Sequence, residues 1–378
     1  MAKIARLVAV DVEETTGDFW VKVIDYDGTV LLEKRGNNGD SFDLPSAPSH
    51  EGLVFQEWSA SQAITDNKII IADNNVMVGA VYTTASGQNE FDITLTKVTG
   101  LSVTLNMDGT KDWGDGTSDT NTTHTYVAYG DYTIKCNGTT ITAYGLFGGE
   151  GGAKNYYCTE ARFATIRCIN DYAFQNCYSL INVVISNNLE SINTYAFYSS
   201  HSLISIVIPN SVTNIYDSAF CDCYSLKNIV IPNNVRRINS YTFQNCYSLT
   251  SIIIPNSVTN INENAFQYCY SLTSVVISNN VTSIGEYAFY YCYSLTSVII
   301  PNSVTRINSY AFQNCYSLTK YDFSQCTAVL KLSNTNAFSG INGICKIIVP
   351  DSLYDEWIAA ANWSTYADYI YKASEVTA

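Results

Sequence analysis

The sequence is poor in charged residues, and in basic ones above all. Only 14% of its 378 residues are charged, and 20 lysines and arginines stand against 34 aspartates and glutamates, a formal net charge of −14. A nucleic-acid partner requires a basic surface that neutralises phosphates, so this balance argues against one. It favours neutral or cationic partners only weakly, because acidity also promotes solubility.

Long hydrophobic runs are absent as well. The longest are strand-sized, far below the ~20 residues that a membrane-spanning helix needs, so we predict no membrane span. The first residues, MAKIARLVAVDVEETTG, have no apolar core ahead of their acidic residues and do not resemble a secretion signal. We therefore expect either a processed fragment or a protein that reaches the outside by another route, such as cell lysis by a bacteriophage.

The signatures of an active site are also missing. The sequence contains three histidines, which are His50, His124 and His201. None belongs to a nucleophile elbow, an HExxH pair or a Cys-His signature. Glycoside hydrolysis needs only two carboxylates, and Asp217, Glu263 and Glu286 lie close in repeat phase, but a solvated acidic face requires no catalytic role. We predict no enzyme, no catalytic residue and no cofactor.

What the sequence does contain is a 23-residue repeat between about Asn170 and Ser324. Leucine and isoleucine recur at this period, and so does phenylalanine, at Phe174, Phe197, Phe220, Phe243, Phe266, Phe289 and Phe312. A fixed period of this length predicts a solenoid, in which each unit buries its apolar side against its neighbours.

One unit, residues 249–270, reads LTSIIIPNSVTNINENAFQYCY. Leu249, Ile252 and Ile254 alternate like a strand with one inward face, and the following proline ends it. The later apolar spacing suits a turn or short helical segment that returns over the same core. The unit resembles the leucine-rich repeats of the BspA-like family, which read roughly IPxSVTxIxxxAFxxCxSL. This resemblance implies a right-handed solenoid with a parallel sheet on one side, found mostly in surface-exposed binding proteins.

The first of two β-rich regions precedes the repeats at residues 19–84. Runs of β-forming residues flank Asp27-Gly28, which predicts a hairpin. The order of the remaining residues resembles the Listeria–Bacteroides repeat, a small β-grasp-like module of bacterial surface proteins. The matching residues are Gly39-Asp40, Pro45, Pro48, Gly52, Phe55, Trp58 and Ala80-Val81-Tyr82. The resemblance implies a spacer or presenting module without chemistry.

The second β-rich region resembles the polycystic-kidney-disease-type domain, an immunoglobulin-like sandwich. The matching segments are Trp113-Gly114-Asp115-Gly116-Thr117, His124-Thr125-Tyr126 and Gly130-Asp131-Tyr132-Thr133. Calcium takes several oxygen ligands, which makes four aspartates here weak calcium candidates: Asp108, Asp112, Asp115 and Asp119. An aspartate-rich turn that bonds its own backbone explains them better, so we predict no metal site.

We therefore predict a multidomain chain with four parts. A β-grasp-like module covers residues 1–84, an immunoglobulin-like module and a glycine-rich hinge cover 85–150, leucine-rich repeats with a parallel sheet and short helical returns cover 151–345, and a helical cap covers 346–378. In the cap, Asp351 or Ser352 is the predicted helix N-cap.

Cysteine forms a column in the repeats, with Ser200 in one place. Its members are Cys177, Cys223, Cys246, Cys269, Cys292 and Cys315. Side chains in register point the same way, whereas disulfides need converging Cβ vectors. We therefore predict buried, reduced thiols in preference to a disulfide ladder or a zinc site.

Tyrosine, present 29 times, forms two more columns. The first contains Tyr178, His201, Tyr224, Tyr247, Tyr270, Tyr293 and Tyr316, and the second contains Tyr172, Tyr195, Tyr241, Tyr287 and Tyr310. Stacked repeats lie ~4.8 Å apart, so seven units predict an aromatic ribbon ~30 Å long. Two interpretations stay open: the rings stack and shield the backbone, or they form a binding face.

These features predict a non-enzymatic binding protein that presents the solenoid to a glycan or protein of a host cell surface. Its N-terminal modules would attach to other virion or surface proteins. Because a secretion signal is missing, we favour a bacteriophage virion protein located at the virion surface. The alternatives are a BspA-like adhesin of the bacterial cell surface and a secreted glycan-acting enzyme with accessory modules.

Overall fold

The computed structural model describes most of the chain after the first 18 residues. The described ranges are 19–50, 53–60, 64–71, 76–84, 91–98, 101–105, 107–128, 130–137, 158–164 and 166–376. The predicted glycine-rich hinge around residues 145–152 lies outside them.

The first β-rich region forms two small sheets. Its strands are β1 (Phe19–Ile24), β2 (Val30–Gly36), β3 (Ser41–Asp43), β4 (Leu53–Ala60), β5 (Ile64–Thr65), β6 (Lys68–Ile70) and β7 (Val76–Thr84). The larger sheet has the order β2-β1-β7-β4, with β1 and β7 parallel, and the smaller has the order β3-β6-β5. The hairpin predicted at Asp27-Gly28 is confirmed: it joins β1 to β2, with Gly28 at a φ of +86°.

The second β-rich region shares a sheet with the start of the solenoid. Its strands are β8 (Phe91–Val98), β9 (Leu101–Thr104), β10 (Lys111–Asp112), β11 (Ser118–Asp119), β12 (Thr123–Tyr126) and β13 (Gly130–Cys136). Strand β8 pairs with β13 on one side and with the first solenoid strand, Cys158–Phe163, on the other. Because this ladder is continuous, the region closes the N-terminal end of the repeat array.

The solenoid makes about nine turns between residues 160 and 372. Most turns contribute a strand to each of two parallel rows, called sheet A and sheet B here. The hydrogen-bonded ladder is interrupted after residues 185 and 230 in sheet A and after residue 215 in sheet B. Sheet A contains β14 (Cys158–Phe163), β16 (Asn182–Ile185), β18 (Ser205–Val207), β20 (Asn228–Val230), β22 (Ser251–Ile253), β24 (Ser274–Val276), β26 (Ser297–Ile299), β28 (Lys320–Asp322), β30 (Lys346–Val349) and β31 (Ile370–Lys372). Sheet B contains β15 (Cys168–Ile169), β17 (Ser191–Ile192), β19 (Asn214–Ile215), β21 (Arg237–Ile238), β23 (Asn260–Ile261), β25 (Ser283–Ile284), β27 (Arg306–Ile307) and β29 (Lys331–Leu332).

The pairing register of the central units equals the sequence period. Ser251 pairs with Ser274 in sheet A, and Asn260 with Ser283 in sheet B, 23 residues apart in each case. The fold class predicted from the repeat is confirmed. Of the two forms expected for the return segments, turns or short helices, the seven units contain turns.

The core of the solenoid is a set of parallel columns. The seven phenylalanine rings of the repeat stack at centroid distances of 5.1–5.7 Å, with interplanar angles of 4–14°. One continuous apolar cluster extends from Leu95, in the second β-rich region, to Ile370 in β31. Burial on this scale supplies the main driving force for folding the array.

The cysteine column is a ladder of buried thiols, as predicted. None of the twelve cysteines, all of which lie in the described residues, forms a disulfide, and Cys246 Sγ donates to the carbonyl oxygen of Phe220 at 3.3 Å, 26 residues earlier. Cys223, Cys269, Cys292 and Cys315 repeat this contact. Ser200 Oγ makes the equivalent bond to Phe174 at 3.0 Å. Serine fits this place in the column because its hydroxyl satisfies the same carbonyl.

The first β-rich region packs on the outward face of sheet A. Its residues Ile24, Met77 and Val81 form one buried cluster with a column of outward side chains from the sheet: Val207, Val230 and Ile253. A Cβ atom added to Gly79 would lie 2.7 Å from Val207 Cγ1, so glycine permits this close approach. The region therefore lies along the solenoid and covers part of it.

Polar contacts complete this interface. Ser205 Oγ donates to the carbonyl oxygen of Tyr26 at 3.0 Å. The backbone N–H of Asn210 donates to Glu57 Oε1 at 3.1 Å, and its side-chain amide donates to the carbonyl of Trp58 at 3.1 Å. Partners separated by 152 to 179 residues thus satisfy polar groups that the apolar contact would otherwise leave buried without a hydrogen bond.

The C-terminal segment covers the other end of the array, with a small helix as predicted. It contains α1 (Tyr354–Ala359) and short 3₁₀ segments at Thr335–Phe338, Asp351–Leu353, Ser364–Tyr369 and Ala373–Glu375. Trp357 and Trp363 are fully buried, 5.5 and 5.4 Å from the ring of Phe323.

The predicted N-cap of this helix is wrong. Leu353 precedes α1 and makes no side-chain cap, because Asp351 and Ser352 belong to the preceding 3₁₀ turn. The Asp351 carboxylate instead accepts the backbone N–H of Ser374 at 3.0 Å and ties the end of the chain to the cap. Among the described residues, no helix has the length and hydrophobicity of a membrane span.

Replacing Phe243 with alanine should destabilise the array by about 3–5 kcal/mol, the cost of removing a fully buried aromatic ring. Phe243 is stacked between Phe220 and Phe266, so neighbouring rings cannot fill the cavity without losing their own contacts. Urea unfolding followed by circular dichroism measures the loss, with exposed Thr259→Ala as the control. A loss below about 1 kcal/mol would contradict the inward assignment of this column.

Candidate binding surface

The first tyrosine column is an unbroken stack of rings. It lies in the turn between the buried cysteine and the next strand of sheet A. Successive centroids along Tyr178, His201, Tyr224, Tyr247, Tyr270, Tyr293 and Tyr316 are 4.4, 4.2, 4.8, 4.9, 5.0 and 5.5 Å apart. Interplanar angles are 7–28°. The backbone register thus brings all seven predicted residues of this column into one ribbon.

Exposure of this ribbon increases toward the C-terminal end. The residues from Tyr178 to Tyr270 are half-buried, whereas Tyr293 is 37% exposed and Tyr316 50%. Since each ring stacks on its neighbours, the faces between them are covered. What the ribbon offers to a ligand is therefore a row of ring edges and hydroxyl groups at the repeat spacing.

Burial raises the pKa values of several phenols in the middle of the column. Burial, with smaller contributions from Asp222 and other tyrosines, raises the pKa of Tyr224 to about 12. The pKa values of Tyr247, Tyr270 and Tyr293 are also raised, with burial the largest cause in each case. Protonated phenols remain hydrogen-bond donors well above neutral pH. The ribbon is thus an uncharged row of donors and acceptors.

His201 occupies the column as a neutral aromatic ring. It lies between Tyr178 and Tyr224, and burial lowers the pKa of its imidazole despite the opposing charge of Asp222. Charging this ring would require solvation that the stack denies it. His201 therefore continues the ribbon without adding a positive charge.

The second tyrosine column occupies a strained backbone position. Tyr172, Tyr195, Tyr241, Tyr287 and Tyr310 have φ values of 55–61°, and Ser218 and Asn264 share them at the same place in their units. A bulky side chain costs roughly 1–2 kcal/mol in this left-handed region, which asparagine tolerates better. Adjacent rings recover part of that cost by stacking, at 5.2 Å for Tyr172–Tyr195 and 4.7 Å for Tyr287–Tyr310.

Sequence analysis missed a third group of tyrosines in the fifth and sixth units. Tyr268 and Tyr291 stack at 5.5 Å, and Tyr290 packs edge-on against both, at 5.6 and 4.3 Å. They also contact Tyr270 and Tyr293 of the first column. The available signal was a substitution, because the other five units carry asparagine, serine or aspartate where these two units carry Tyr268 and Tyr291.

The aspartates proposed as calcium candidates hold a turn together. Asp112, Asp115 and Asp119 each accept the backbone N–H of the residue two positions later, at 3.0, 3.1 and 2.9 Å. Asp119 also accepts the indole N–H of Trp113 at 3.0 Å, which lowers its pKa. Asp108 is exposed in the bend before β10. Within the described residues, no three histidine, cysteine or acidic side chains come together as a metal site would require.

Comparison with known proteins bears on the repeats. Six copies of the BspA type leucine rich repeat region match residues 155–273 and 259–355, which together cover more than half of the chain. The chain belongs to the BspA-type leucine-rich repeat family. No curated protein matches it significantly. The matched region of this BspA-type protein begins at residue 155, so both resemblances found in the N-terminal β-rich regions stay predictions.

Three solved structures are similar to parts of the BspA-type chain. A leucine-rich repeat protein from Bacteroides ovatus is 25% identical, with a TM-score of 0.43, over 49% of this chain and 47% of its own. A leucine rich cell surface protein from Faecalibacterium prausnitzii is 27% identical, with a TM-score of 0.37, over 52% and 60%. The leucine-rich repeat protein of T. pallidum is 28% identical, with a TM-score of 0.35, over 44% and 75%. This chain covers less than two thirds of the length of the first two proteins.

Replacing Tyr241 with asparagine should stabilise the protein by about 1 kcal/mol, because it relieves left-handed strain. Ser218 and Asn264 occupy the neighbouring places of the column, so no stacked pair within it is lost. The matched change Tyr287→Asn relieves the same strain but removes the stack on Tyr310 and the edge contact with Tyr290, and should leave stability nearly unchanged. Urea unfolding compares the two, and destabilisation by Tyr241→Asn would show that its ring makes another favourable contact.

Proposed function

We propose that this protein is a non-enzymatic binding protein displayed on a bacterial cell surface, and that its first tyrosine column contacts a glycan or protein of another cell. The observation that carries the proposal is the unbroken ring stack from Tyr178 to Tyr316. Tyrosine combines a large contact area with a hydroxyl at low entropic cost, which is why it is enriched in recognition surfaces.

The stack reduces the cost of binding further. Each ring in the middle of the column is held between two others, so it loses little freedom when a ligand arrives. Preorganised side chains spare the ordering cost of roughly 0.5–1.5 kcal/mol for each rotamer-rich group. The interpretation that the rings shield the backbone is compatible with this role, because one stack serves both.

Packing elsewhere on the solenoid favours the same surface. The first β-rich region buries the outward side chains of sheet A at Val207, Val230 and Ile253. The inward side of the array is filled by its own core columns. The rings of the first tyrosine column belong to neither of these two clusters and are half-buried or exposed, so a ligand can reach their edges.

Membership of the BspA-type family supports the bacterial cell surface better than the virion. For the N-terminal regions we propose the two module types that they resemble, acting as attachment points for other surface proteins. The central parallel pair of β1 and β7 supports a β-grasp-like module. The buried Trp113, whose carbonyl accepts the Tyr126 hydroxyl at 2.8 Å, supports a packed sandwich in the second region.

Serine in place of Tyr247, Tyr270 and Tyr293 together should weaken binding to target cells at least tenfold, which corresponds to about 1.4 kcal/mol or more. The change removes three adjacent ring edges and leaves the buried columns intact. Cell-binding titrations with labelled protein measure the loss, and circular dichroism confirms that the fold is retained.

The matched control changes the same three units beside sheet B, with Thr259, Thr282 and Thr305 replaced by alanine. These exposed threonines donate to backbone carbonyls of the preceding unit, and Thr259 also donates to Oδ1 of the adjacent Asn260 at 2.9 Å. Binding by this variant should equal that of the unaltered protein. Equal binding by the serine variant would refute the tyrosine column as the contact surface.

The purified protein should release no product from a panel of polysaccharides during prolonged incubation. Three acidic residues share a similar phase of the repeat and line one side of the units: Asp217, Glu263 and Glu286. The Asp217 carboxylate accepts a hydrogen bond from the backbone N–H of Ser240 at 3.1 Å. Reducing-end assays with a commercial glycosidase as positive control measure turnover. Cleavage that disappears on Glu263→Gln would instead support the glycan-acting enzyme.

A further inference from the structure

In the fifth and sixth units the tyrosines spread sideways from the ribbon. Tyr268 and Tyr291 take a left-handed backbone position, at φ values of 61 and 59°. The same position holds a small polar residue in the other units, at φ values of 58–62°: Asn176, Ser199, Asp222, Asn245 and Asn314. We call Tyr268, Tyr270, Tyr290, Tyr291 and Tyr293 the tyrosine patch.

The rings of the tyrosine patch contact one another in two directions. Along the solenoid axis, Tyr268 stacks on Tyr291 at 5.5 Å and Tyr270 on Tyr293 at 5.0 Å. Across the units, Tyr268 meets Tyr270 at 5.9 Å, and Tyr291 meets Tyr293 at 5.2 Å, both edge to face. Four rings thus form a square, which Tyr290 borders.

Tyr290 joins this square to the second column. Its ring lies 5.2 Å from Tyr287, which in turn stacks on Tyr310. A one-ring-wide ribbon therefore broadens here into a continuous aromatic surface. Broadening occurs next to Tyr293, where the exposure of the first column rises.

The two added tyrosines occupy a position that does not suit them. The left-handed region is sterically unfavourable for bulky residues, whereas asparagine tolerates it. The other five units have a small polar side chain at this position. Unfavourable backbone conformations concentrate where function requires a particular side chain. The other units show that a small polar residue fits this backbone position with less strain. The two tyrosines are therefore better explained by a binding role at the surface than by stability.

The groups around the tyrosine patch are mainly other tyrosines. The carboxylate of Glu286, after burial and Tyr310, helps to raise the pKa of Tyr287, the ring beside Tyr290. After burial, the groups that raise the pKa values of Tyr270 and Tyr293 are other tyrosines. In the earlier part of the ribbon, Asp222 contributes to the raised pKa values of Tyr224 and Tyr247. A charged ligand would find no compensating ion among the five phenols, and an anionic one would approach a chain with a net charge of −14.

We infer that the tyrosine patch is the ligand-contacting site of this protein and that its ligand is an uncharged glycan, an inference that rests on the proposed binding function. Closely spaced phenol hydroxyls complement the donors and acceptors of sugar hydroxyls, and the ring edges contact the apolar parts of a sugar. A protein partner would need about 800 Å² of surface on each side, far more than five half-covered rings present.

The test uses the full chain with Tyr268 and Tyr291 both replaced by asparagine. This change installs the residue that Asn245 and Asn314 supply in neighbouring units, so the fold should be retained and the thermal midpoint unchanged or raised. The matched control replaces Tyr172 and Tyr195 with asparagine, removing another stacked, left-handed pair at the far end of the array.

Binding is measured on immobilised neutral, sialylated and sulfated glycans at 50 and 500 mM salt. The unaltered protein and the control should bind neutral glycans alike, and the Tyr268/Tyr291 variant should bind them at least tenfold more weakly. Affinity should change less than twofold with salt, because screening acts on charges that this site lacks.

Full glycan binding by the Tyr268/Tyr291 variant would overturn the inference, and so would a preference for charged glycans that salt abolishes. If the unaltered protein bound target cells but no neutral glycan, the glycan assignment would fail, with a protein receptor as the remaining partner. The proposed function would survive these results as long as the three-serine variant lost cell binding. If both the Tyr268/Tyr291 variant and the three-serine variant kept full cell binding, the inference and the proposed function would both be refuted.

Discussion

In-register parallel pairing every 23 residues is the constraint on which the structure depends. It places the same backbone conformation at the same place in successive units, so each residue of the repeat meets its own counterparts along the array. Like side chains then stack on like: phenylalanine inside and tyrosine in the turns. Through this register the thiol of Cys246 donates to the carbonyl of Phe220. Each later thiol of the column donates to the carbonyl of the phenylalanine 26 residues before it. Core and surface are therefore two outcomes of one geometric rule.

Because the period fixes the phase of each residue, the sequence was enough to predict the solenoid, its inward columns, the buried thiols and the stacked ribbon. The left-handed φ of Tyr172 or Tyr268 could not be predicted that way, since tyrosine is an unusual occupant of that region. The packing of the first β-rich region on sheet A could not be predicted from the sequence either. Gly79 meets Val207 across more than 120 residues, and a single glycine in a strand outside the repeats has no periodic signal.

The non-repeating parts of the chain solve the problem that any open solenoid has. A stack of identical units ends in exposed apolar side chains and unpaired strand edges, which invite association with other chains. Strand β8 pairs with the first strand of sheet A at one end, and Trp357 and Trp363 cover Phe323 at the other. The first β-rich region buries the outward column of sheet A as far as Ile253 and partly covers Val276, while Ile299 beyond them is 55% exposed.

Stacking alone does not account for where the tyrosines are. Stacking stabilises a ring that has another ring beside it, as Tyr310 lies beside Tyr287. This contact offsets part of the energetic cost of the left-handed backbone. Tyr241 has Ser218 and Asn264 as column neighbours, yet it keeps the same φ of 59°. Tyr268 and Tyr291 stack on each other, but each also faces a unit that carries asparagine. A stability argument would place small polar residues at all these positions, so the rings there are better explained by what they present to solvent.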